Sequence, residues 1–363
     1  MEFKINCKYF NWYKPCKYQK LDKSLKCNNL CKNYTESLWK ILVIKRWAIW
    51  EVLRCTSLLH KIKEKYPNYE IWWLTDYPDL LNDNYVDKKI KFTQENLFSI
   101  LDVVFDVVYS LDKEIVCCSL VNKLNAKEKK WFKVEDFKIL PIDKDAEYLW
   151  KRWIYDEFMK NDKRHYMDEI FEVSWFKFNE EEYILPDYTI PKEVEEKIDK
   201  TKTVVWLNTW TSWTWQTRLW SDEYWVNLSK DLIKQWYEVV LLWWPQEDDK
   251  NTKIGEKSGA KYFWTYPFKE FIWIMDLTDI VVTQVTFAMH VATWLKKKVV
   301  FMNNIFNKYE YHFYKRPVEI IEPNVSCKMC YKSKFDGNCE VANCMELIKP
   351  ENILKAVEKI KNE

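Results

Sequence analysis

The chain has 363 residues, with 57 lysines and arginines set against 55 aspartates and glutamates, a net charge of +2. That length is more than one core comfortably fills and implies two domains, while the balanced charge excludes a global field suited to nucleic acid or an anionic membrane. No 18 apolar residues run together and the start, MEFKINCKYF, has no apolar leader core, so the sequence predicts a cytoplasmic protein with at most peripheral membrane contact.

In chain order, a cysteine-bearing arm occupies residues 1–36. ILVIK at 41–45 then reads as a short apolar strand, EVLRCTSLLHKIKEKYP as a helix, and YEIWWLT and DVVFDVVYS as further strands. This alternation predicts βαβ units and a parallel sheet, the first α/β domain, over 37–187. After the proline-marked PDYTIPKEVEEKIDK the pattern restarts. TVVWLN, YEVVLL, AKYF, DIVVT and KKVVFM read as strands, with helices near 222–235, 246–258, 268–277 and 286–294. They form a second α/β domain over 188–325, followed by a cysteine-bearing segment and a helix over 326–363. Open α/β sheets bind ligands beyond the carboxyl ends of their strands, so two such halves facing a cleft form a natural nucleotide-sugar site.

The composition holds one anomaly: 22 tryptophans and only 3 glycines. Together they make up about 7% of the chain, the usual share of glycine alone. Many tryptophans stand where chains turn, as in VVWLNTWTSWTW, LLWWPQ, KQWYEVV and KRWAIWEVL, and these are positions for glycine. We read Trp12, Trp39, Trp47, Trp50, Trp131, Trp153, Trp175, Trp206, Trp210, Trp213, Trp236, Trp243, Trp244, Trp264, Trp273 and Trp294 as glycines, encoded by UGA in a gene whose code assigns UGA to glycine. Trp73, Trp150, Trp215, Trp220 and Trp225 read as authentic, and Trp72 as either. A tryptophan-rich core or an aromatic carbohydrate platform is the alternative, but neither explains a matching deficit of glycine.

With those substitutions, ILVIKRWAIWEVLRCTSLLHKIKEKYPNYEIWWLT resembles the opening of the family 9 glycosyltransferases, which include the heptosyltransferases. VVWLNTWTSWTWQTRLWSDEYW, YEVVLLWWPQE and DIVVTQVTFAMHVATWLKKKVVFM resemble their second half in the same order, so the resemblance spans residues 40–360. It implies a GT-B fold, two Rossmann-like domains facing a cleft, and inverting transfer of heptose or a related sugar. The donor would be an ADP-sugar or similar nucleotide-sugar, and the acceptor a cell-envelope glycan or glycolipid such as lipopolysaccharide.

Inverting transfer needs a base on the acceptor hydroxyl, a cradle for the departing diphosphate and groups that orient the donor. Glu51, just past the first strand, is the candidate base, where the resembled family has aspartate. Arg54, one turn on, is the candidate to orient Glu51 or to contact an anionic acceptor, and a solvated helix arginine is the plain alternative. Thr209, Thr211 and Ser212, with amides bared by glycine at 210 and 213, are expected to cradle phosphate. Arg218 supplies fixed charge there, and Ser221 caps the next helix, whose positive end favours the anion. With that donor set no cofactor is required for catalysis. Glu247 holds the position that the resemblance assigns to ribose binding, with a plain helix N-terminal acid as the alternative. The resemblance places Thr286 and His290 at the start of the helix that faces the donor, with Met289 and His290 matching a Met-His pair, and a histidine satisfied within the core is the alternative for His290. The family's Asp-Thr-Gly before that pair is replaced by Val285, Thr286 and Phe287, which puts heptose as the transferred sugar in question.

The remaining cysteines form two quartets, Cys7, Cys16, Cys27 and Cys31 in the arm and Cys327, Cys330, Cys339 and Cys344 in the tail. Each has spacing compatible with a structural zinc, which would supply folding energy that a short segment without a core lacks. Free thiols and an iron–sulfur site are the alternatives. Cys55, Cys117 and Cys118 read as core residues. For the whole chain, a sugar-nucleotide epimerase of the same fold and a non-catalytic, metal-stabilised ligand-binding protein stay open beside the transferase.

Overall fold

The computed structural model describes residues 3–11, 14–28, 30–37, 39–187, 192–211, 215–241, 248–263, 266, 268–327, 329–335, 339 and 341–363. The chain divides into two compact units, one of Met1–Lys151 with Glu169–Pro186, the other of Arg152–Asp168 with Asp187–Glu363. Among the described residues no helix is long and apolar enough to cross a membrane.

In the first unit the strands are β1 (Lys40–Ile44), β2 (Glu70–Thr75), β3 (Lys88–Lys91), β4 (Val104–Ser110), β5 (Asn125–Glu135) and β6 (Lys138–Pro141). Their spatial order is β3-β2-β1-β4-β5-β6, and every pair is parallel except β5 with β6. Ile41, Leu42, Val43 and Ile44 are all fully buried, as an unbroken apolar run in a strand covered on both faces requires. One face packs Leu42, Ile44 and Leu74 against Phe105, Val108, Cys117 and Val121.

The second unit repeats the plan with β7 (Val204–Leu207), β8 (Glu238–Leu241), β9 (Lys261–Tyr262), β10 (Ile280–Gln284), β11 (Lys298–Met302) and β12 (Val318–Ile321). The order is β12-β11-β10-β7-β8-β9, all parallel. The C-terminal helix Pro350–Lys361 buries Ile353, Val357 and Ile360 against this sheet's core. In each unit the first strand lies between the second and the fourth, so the chain reverses its direction of winding beside β1 and again beside β7. Those two switch points are where an open sheet leaves a crevice at its carboxyl edge.

Two helix ends bear on the tryptophans. The helix Asp222–Lys234 closes with Tyr237 N donating to Leu232 O and Trp236 N to Ile233 O. The helix Tyr166–Val173 closes identically, with Phe176 N on Phe171 O and Trp175 N on Glu172 O. Both are Schellman closures, whose left-handed residue is usually glycine. Here it is tryptophan, Trp236 at φ 68° and Trp175 at φ 61°, with 72% and 50% of the residue exposed. Lys296 fills the same position after the helix Phe287–Trp294, so a side chain is tolerated there at some cost.

Candidate active site

At the first switch point, a charged cluster follows the carboxyl ends of β1, β2 and β4. Glu51 lies in the first turn of the helix Ile49–Cys55. Its Oε1 accepts a hydrogen bond from Arg54 Nη2, one turn on, and its Oε2 faces Lys45 Nζ at 3.8 Å. Lys45, the residue after β1, also reaches Asp112 Oδ2 at 3.6 Å. Arg46 N donates to the same Asp112 oxygen at 2.9 Å. The Arg46 guanidinium spans Asp76 Oδ2 and Glu114 Oε2, both at 3.0 Å. Lys45, Arg54 and Asp112 are buried, whereas the Glu51 side chain keeps 18% of its surface. The result is a carboxylate held by two cations with part of its surface exposed.

At the second switch point the arrangement suits an anion. Asn208, just past β7, donates from Nδ2 to Thr283 Oγ1 at 3.0 Å and to Thr286 Oγ1 at 2.9 Å, joining β7 to the loop after β10. Thr286 precedes the eight-residue helix Phe287–Trp294 and makes no side-chain cap bond to it, leaving the first amides of that helix uncapped by its own N-cap. Arg218, at the end of the short 3₁₀ turn Gln216–Arg218, donates from Nη1 to Val285 O beside that terminus. It is 6% exposed. Among the described residues no carboxylate pairs with it, and its buried Nε has no hydrogen-bond partner. Its ring neighbours are Trp215 and Phe306, each 5.4 Å from the guanidinium carbon. Burial pulls its pKa down to about 10, opposed by Tyr311. A guanidinium stripped of water without a counter-charge is costly unless something negative joins it. Gln284, at the end of β10, is 1% exposed with both amide atoms unpartnered among the described residues.

Solved structures share this architecture. The glycosyl transferase family 9 protein from Veillonella parvula superposes with a TM-score of 0.66 over 89% of this chain and 97% of its own, at 16% identity. The E. coli ADP-heptose lipopolysaccharide heptosyltransferase II gives 0.62 over 88% and 98%, at 12% identity. E. coli heptosyltransferase WaaC with ADP gives 0.60 over 89% and 98%, at 12% identity. The fold is GT-B. No protein-family model matches the chain, and no curated protein does.

Within this GT-B chain, the first unit brings Glu51 and Arg54 into contact, so Arg54 is a buried partner of Glu51 and not a solvated helix arginine. The second unit gathers Thr209, Thr211, Arg218 and Thr286, all buried, around the ends of β7 and β10. Two hydroxyls are engaged within the protein: Thr209 Oγ1 donates to Asn251 Oδ1 at 2.6 Å and Thr211 Oγ1 to Trp215 O at 3.4 Å. His290 is buried, its ring 6.0 Å from that of Tyr311. Ser221 Oγ accepts from Tyr224 N at 3.2 Å and caps the helix that follows. Ser212 and Glu247 lie outside the described residues.

Sequence reasoning passed over Lys45, Asp112, Asn208 and Gln284. The available signal was positional: each is the first or second polar residue at the carboxyl end of a strand flanking a switch point. Lys250 was also passed over. Its Nζ donates to Thr209 O at 3.0 Å and pairs with Asp222 at 3.2 Å, placing a second cationic side chain, besides that of Arg218, at the end of β7.

The four tail thiols line one small cavity of about 20 Å³ with Thr217 and Asn304, and the four arm thiols line a larger one of about 360 Å³. Among the described residues, the one set of three metal-ligating atoms within 4.8 Å of one another is Asp112, Glu114 and Cys117. Two of those carboxylates are already held by Lys45 and Arg46. The thiols of each quartet therefore surround their cavity without having converged on a point.

Proposed function

We propose that this protein is an inverting glycosyltransferase that moves a sugar from a nucleotide-sugar to a hydroxyl of a cell-envelope glycan or glycolipid. The observation that carries the reading is the buried Arg218, with no carboxylate partner among the described residues, beside a helix terminus that its N-cap side chain leaves uncapped, an arrangement at the carboxyl edge of a Rossmann-like sheet that favours an anion. The heptosyltransferase neighbours, one solved with ADP, favour an adenine nucleotide and a heptose or related sugar.

In the proposed step the acceptor oxygen attacks the anomeric carbon from the face opposite the leaving group. Glu51 takes the hydroxyl proton as the new C–O bond forms. The old bond to the diphosphate breaks, and its electron pair stays on the departing phosphate oxygen. Arg218 and the amides at the start of Phe287–Trp294 stabilise the charge that develops there. Arg54 and Lys45 hold Glu51 in one orientation. Thr209 and Thr211 shape the cradle mainly through backbone, since their hydroxyls donate elsewhere.

The glycine reading belongs to this proposal, because a diphosphate reaches bare amides in the loop after β7 only if residues 210 and 213 are small. Two features support it. Trp175 and Trp236 occupy left-handed positions that favour glycine. The exposed tryptophans Trp39, Trp47, Trp50, Trp175 and Trp236 all fall in the suspect set, although the suspects Trp131, Trp206 and Trp273 are buried like Trp73, Trp220 and Trp225. Sequencing the codons decides it: UGA at the suspect positions and UGG at the others is expected, and UGG throughout overturns it.

A structural zinc at the tail quartet is part of the same reading. Asn304 Nδ2 donates to Thr217 O at 2.7 Å and to Cys344 Sγ at 3.2 Å, and Thr217 Oγ1 donates to Lys332 O at 2.6 Å. Ordering that loop would thus steady the turn that carries Arg218.

The test is a thermal-shift panel of ADP-, GDP-, UDP- and dTDP-sugars on protein with the suspect glycines restored, followed by assay of released nucleoside diphosphate. Stabilisation by one nucleotide class is expected, and stabilisation by none overturns the transferase. Glu51→Gln should bind the stabilising nucleotide normally while losing turnover by about 10²- to 10⁴-fold. A binding protein would show no difference between the two.

A further inference from the structure

The arm presents a problem that the transferase reading leaves untouched. The described residues between 3 and 37 include no buried side chain; the first is Ile41. The arm's one helix, Lys17–Leu21, is five residues long and buries nothing. A segment whose side chains are at most half-buried has only a small hydrophobic term to set against the entropy of ordering it, roughly 1–2 kcal/mol for each residue's backbone. Yet the arm closes on itself. Cys7 forms an antiparallel bridge with Glu36, and Lys8 N and Ser37 N donate to Thr35 O and Asn6 O at 2.7 Å. What lies at its centre is a cavity of about 360 Å³, with all four arm thiols among its walls.

We propose that this cavity holds a metal centre bound by the thiolates of Cys7, Cys16, Cys27 and Cys31, and that the arm folds around it. Three observations bear on it besides the shared cavity. First, three of the four cysteines open a turn, with Phe10 N donating to Cys7 O, Lys20 N to Cys16 O and Tyr34 N to Cys31 O. The chain therefore bends just after each of these three sulfurs. Second, Lys4, Lys14 and Lys26 line the cavity. Four thiolates on one divalent ion carry a net charge of −2, and the lysines offset it. Third, Tyr9, Phe10 and Tyr18 form an aromatic wall, with the Tyr9 and Tyr18 rings edge to face at 4.9 Å, which limits water and oxidant at the sulfurs. Two sulfurs on one zinc at about 2.3 Å stand about 3.8 Å apart, closer than the thiols now converge, so loading draws the four side chains inward.

The centre is structural. Lys8 Nζ pairs with Asp87 Oδ1 at 2.8 Å, and Asp87 Oδ2 accepts from Ile71 N at 2.9 Å. The arm is therefore fastened near the amino ends of β2 and β3, the edge opposite the one that bears Glu51. The inference does not rest on the transferase reading.

The test uses the full chain purified without oxygen. Metal and acid-labile sulfide are measured on the unmodified protein, and cysteine alkylation is mapped by mass spectrometry before and after chelation. The arm thiols should alkylate at least ten-fold more slowly while metal is bound. Cys16→Ser and Cys27→Ser should each hold one metal centre fewer than the parent. Zinc without sulfide identifies a single ion, and iron with sulfide identifies a cluster; both support a thiolate centre. Arm thiols that react at full rate in unchelated protein, or a Cys16→Ser variant that keeps all its metal, overturn the proposal. The mapping needs no variant, so an arm that fails to fold does not mask the result.

Discussion

Lys45 Nζ stands 3.8 Å from Glu51 Oε2 and 3.6 Å from Asp112 Oδ2, in a position that leaves Lys45 almost no solvent. Burial acts to lower its pKa, but Glu51 and Asp112 together outweigh burial and hold it above the ordinary lysine value. Raised in this way, the ammonium contributes stability that is complete below the ordinary lysine range and is lost only as pH climbs through the higher folded value. Lys45→Met should therefore destabilise the chain by about 3–5 kcal/mol at neutral pH, since it takes the paired cation from buried Asp112 and leaves Glu51 with Arg54 alone. Turnover should fall while nucleotide affinity holds, because the cation steadies the base and not the donor. Urea unfolding checks the first effect, and a variant as stable as the parent would refute the arrangement.

Arg218 predicts an unusual pairing of effects. Because its charge is buried and no carboxylate among the described residues pairs with it, Arg218→Gln should leave the nucleotide-free protein as stable as the parent, or more so. The same variant should lose about 10- to 150-fold in nucleotide affinity, the worth of roughly 1.5–3 kcal/mol for a charged hydrogen bond. Melting curves with and without nucleotide measure both. A large loss of stability in the absence of nucleotide would show that Arg218 is a structural residue.

The two Rossmann-like sheets were legible because parallel strands buried on both faces are nearly continuous apolar runs, as in Ile41–Ile44 and Ile280–Val282. The pair β5 and β6 was not legible. NAKEKKWFKVE carries charges on both faces, and the hairpin turns through Asp136 and Phe137, both at positive φ, without the Asn-Gly or Asp-Gly signal. Strand β12 is four residues long and only half-buried, too short to show a period. At the two switch points, Glu51 and Arg218 stood out in the sequence because charged residues at strand ends and helix starts carry an electrostatic signature. Asn208 and Gln284 were not, because a neutral amide becomes conspicuous only when the fold buries it. Lys45 sat at the end of an apolar strand, where its charge looked like a boundary and not a partner.

The two Schellman closures allow the glycine reading to be tested energetically. Trp236 and Trp175 sit at φ 68° and 61° with much of their surface exposed, so each indole contributes little burial to offset left-handed strain of roughly 1–2 kcal/mol. Trp236→Gly and Trp175→Gly should each stabilise the chain by about 1 kcal/mol, whereas Trp220→Gly should destabilise it by about 3–5 kcal/mol. Trp220 is 2% exposed, donates from Nε1 to Ile348 O at 2.8 Å and packs edge to face on Trp225 at 4.6 Å. Should all three substitutions destabilise alike, the distinction between the two classes of tryptophan fails.

The core thiols give the chain a defined alkaline limit. Burial pushes Cys55 and Cys118 up to about 12 from an ordinary 9.0, and raises Cys117 further. Each therefore keeps its proton in the folded state where the unfolded chain releases it. A raised thiol contributes stability that is intact below pH 9 and is lost as pH rises toward the folded value, at about 1.4 kcal/mol per pH unit for each group. Between pH 9 and 10 the unfolding free energy should thus fall by a few kcal/mol. Cys55→Ala should lower stability at pH 8 by a pH-independent amount and reduce the slope above pH 9 by about one thiol's share. Urea titrations of parent and variant at pH 8, 9 and 10 measure both slopes. Equal slopes would mean that Cys55 ionises within the fold. That thiol would then have to be considered as a reactive neighbour of Glu51 rather than an inert part of the core.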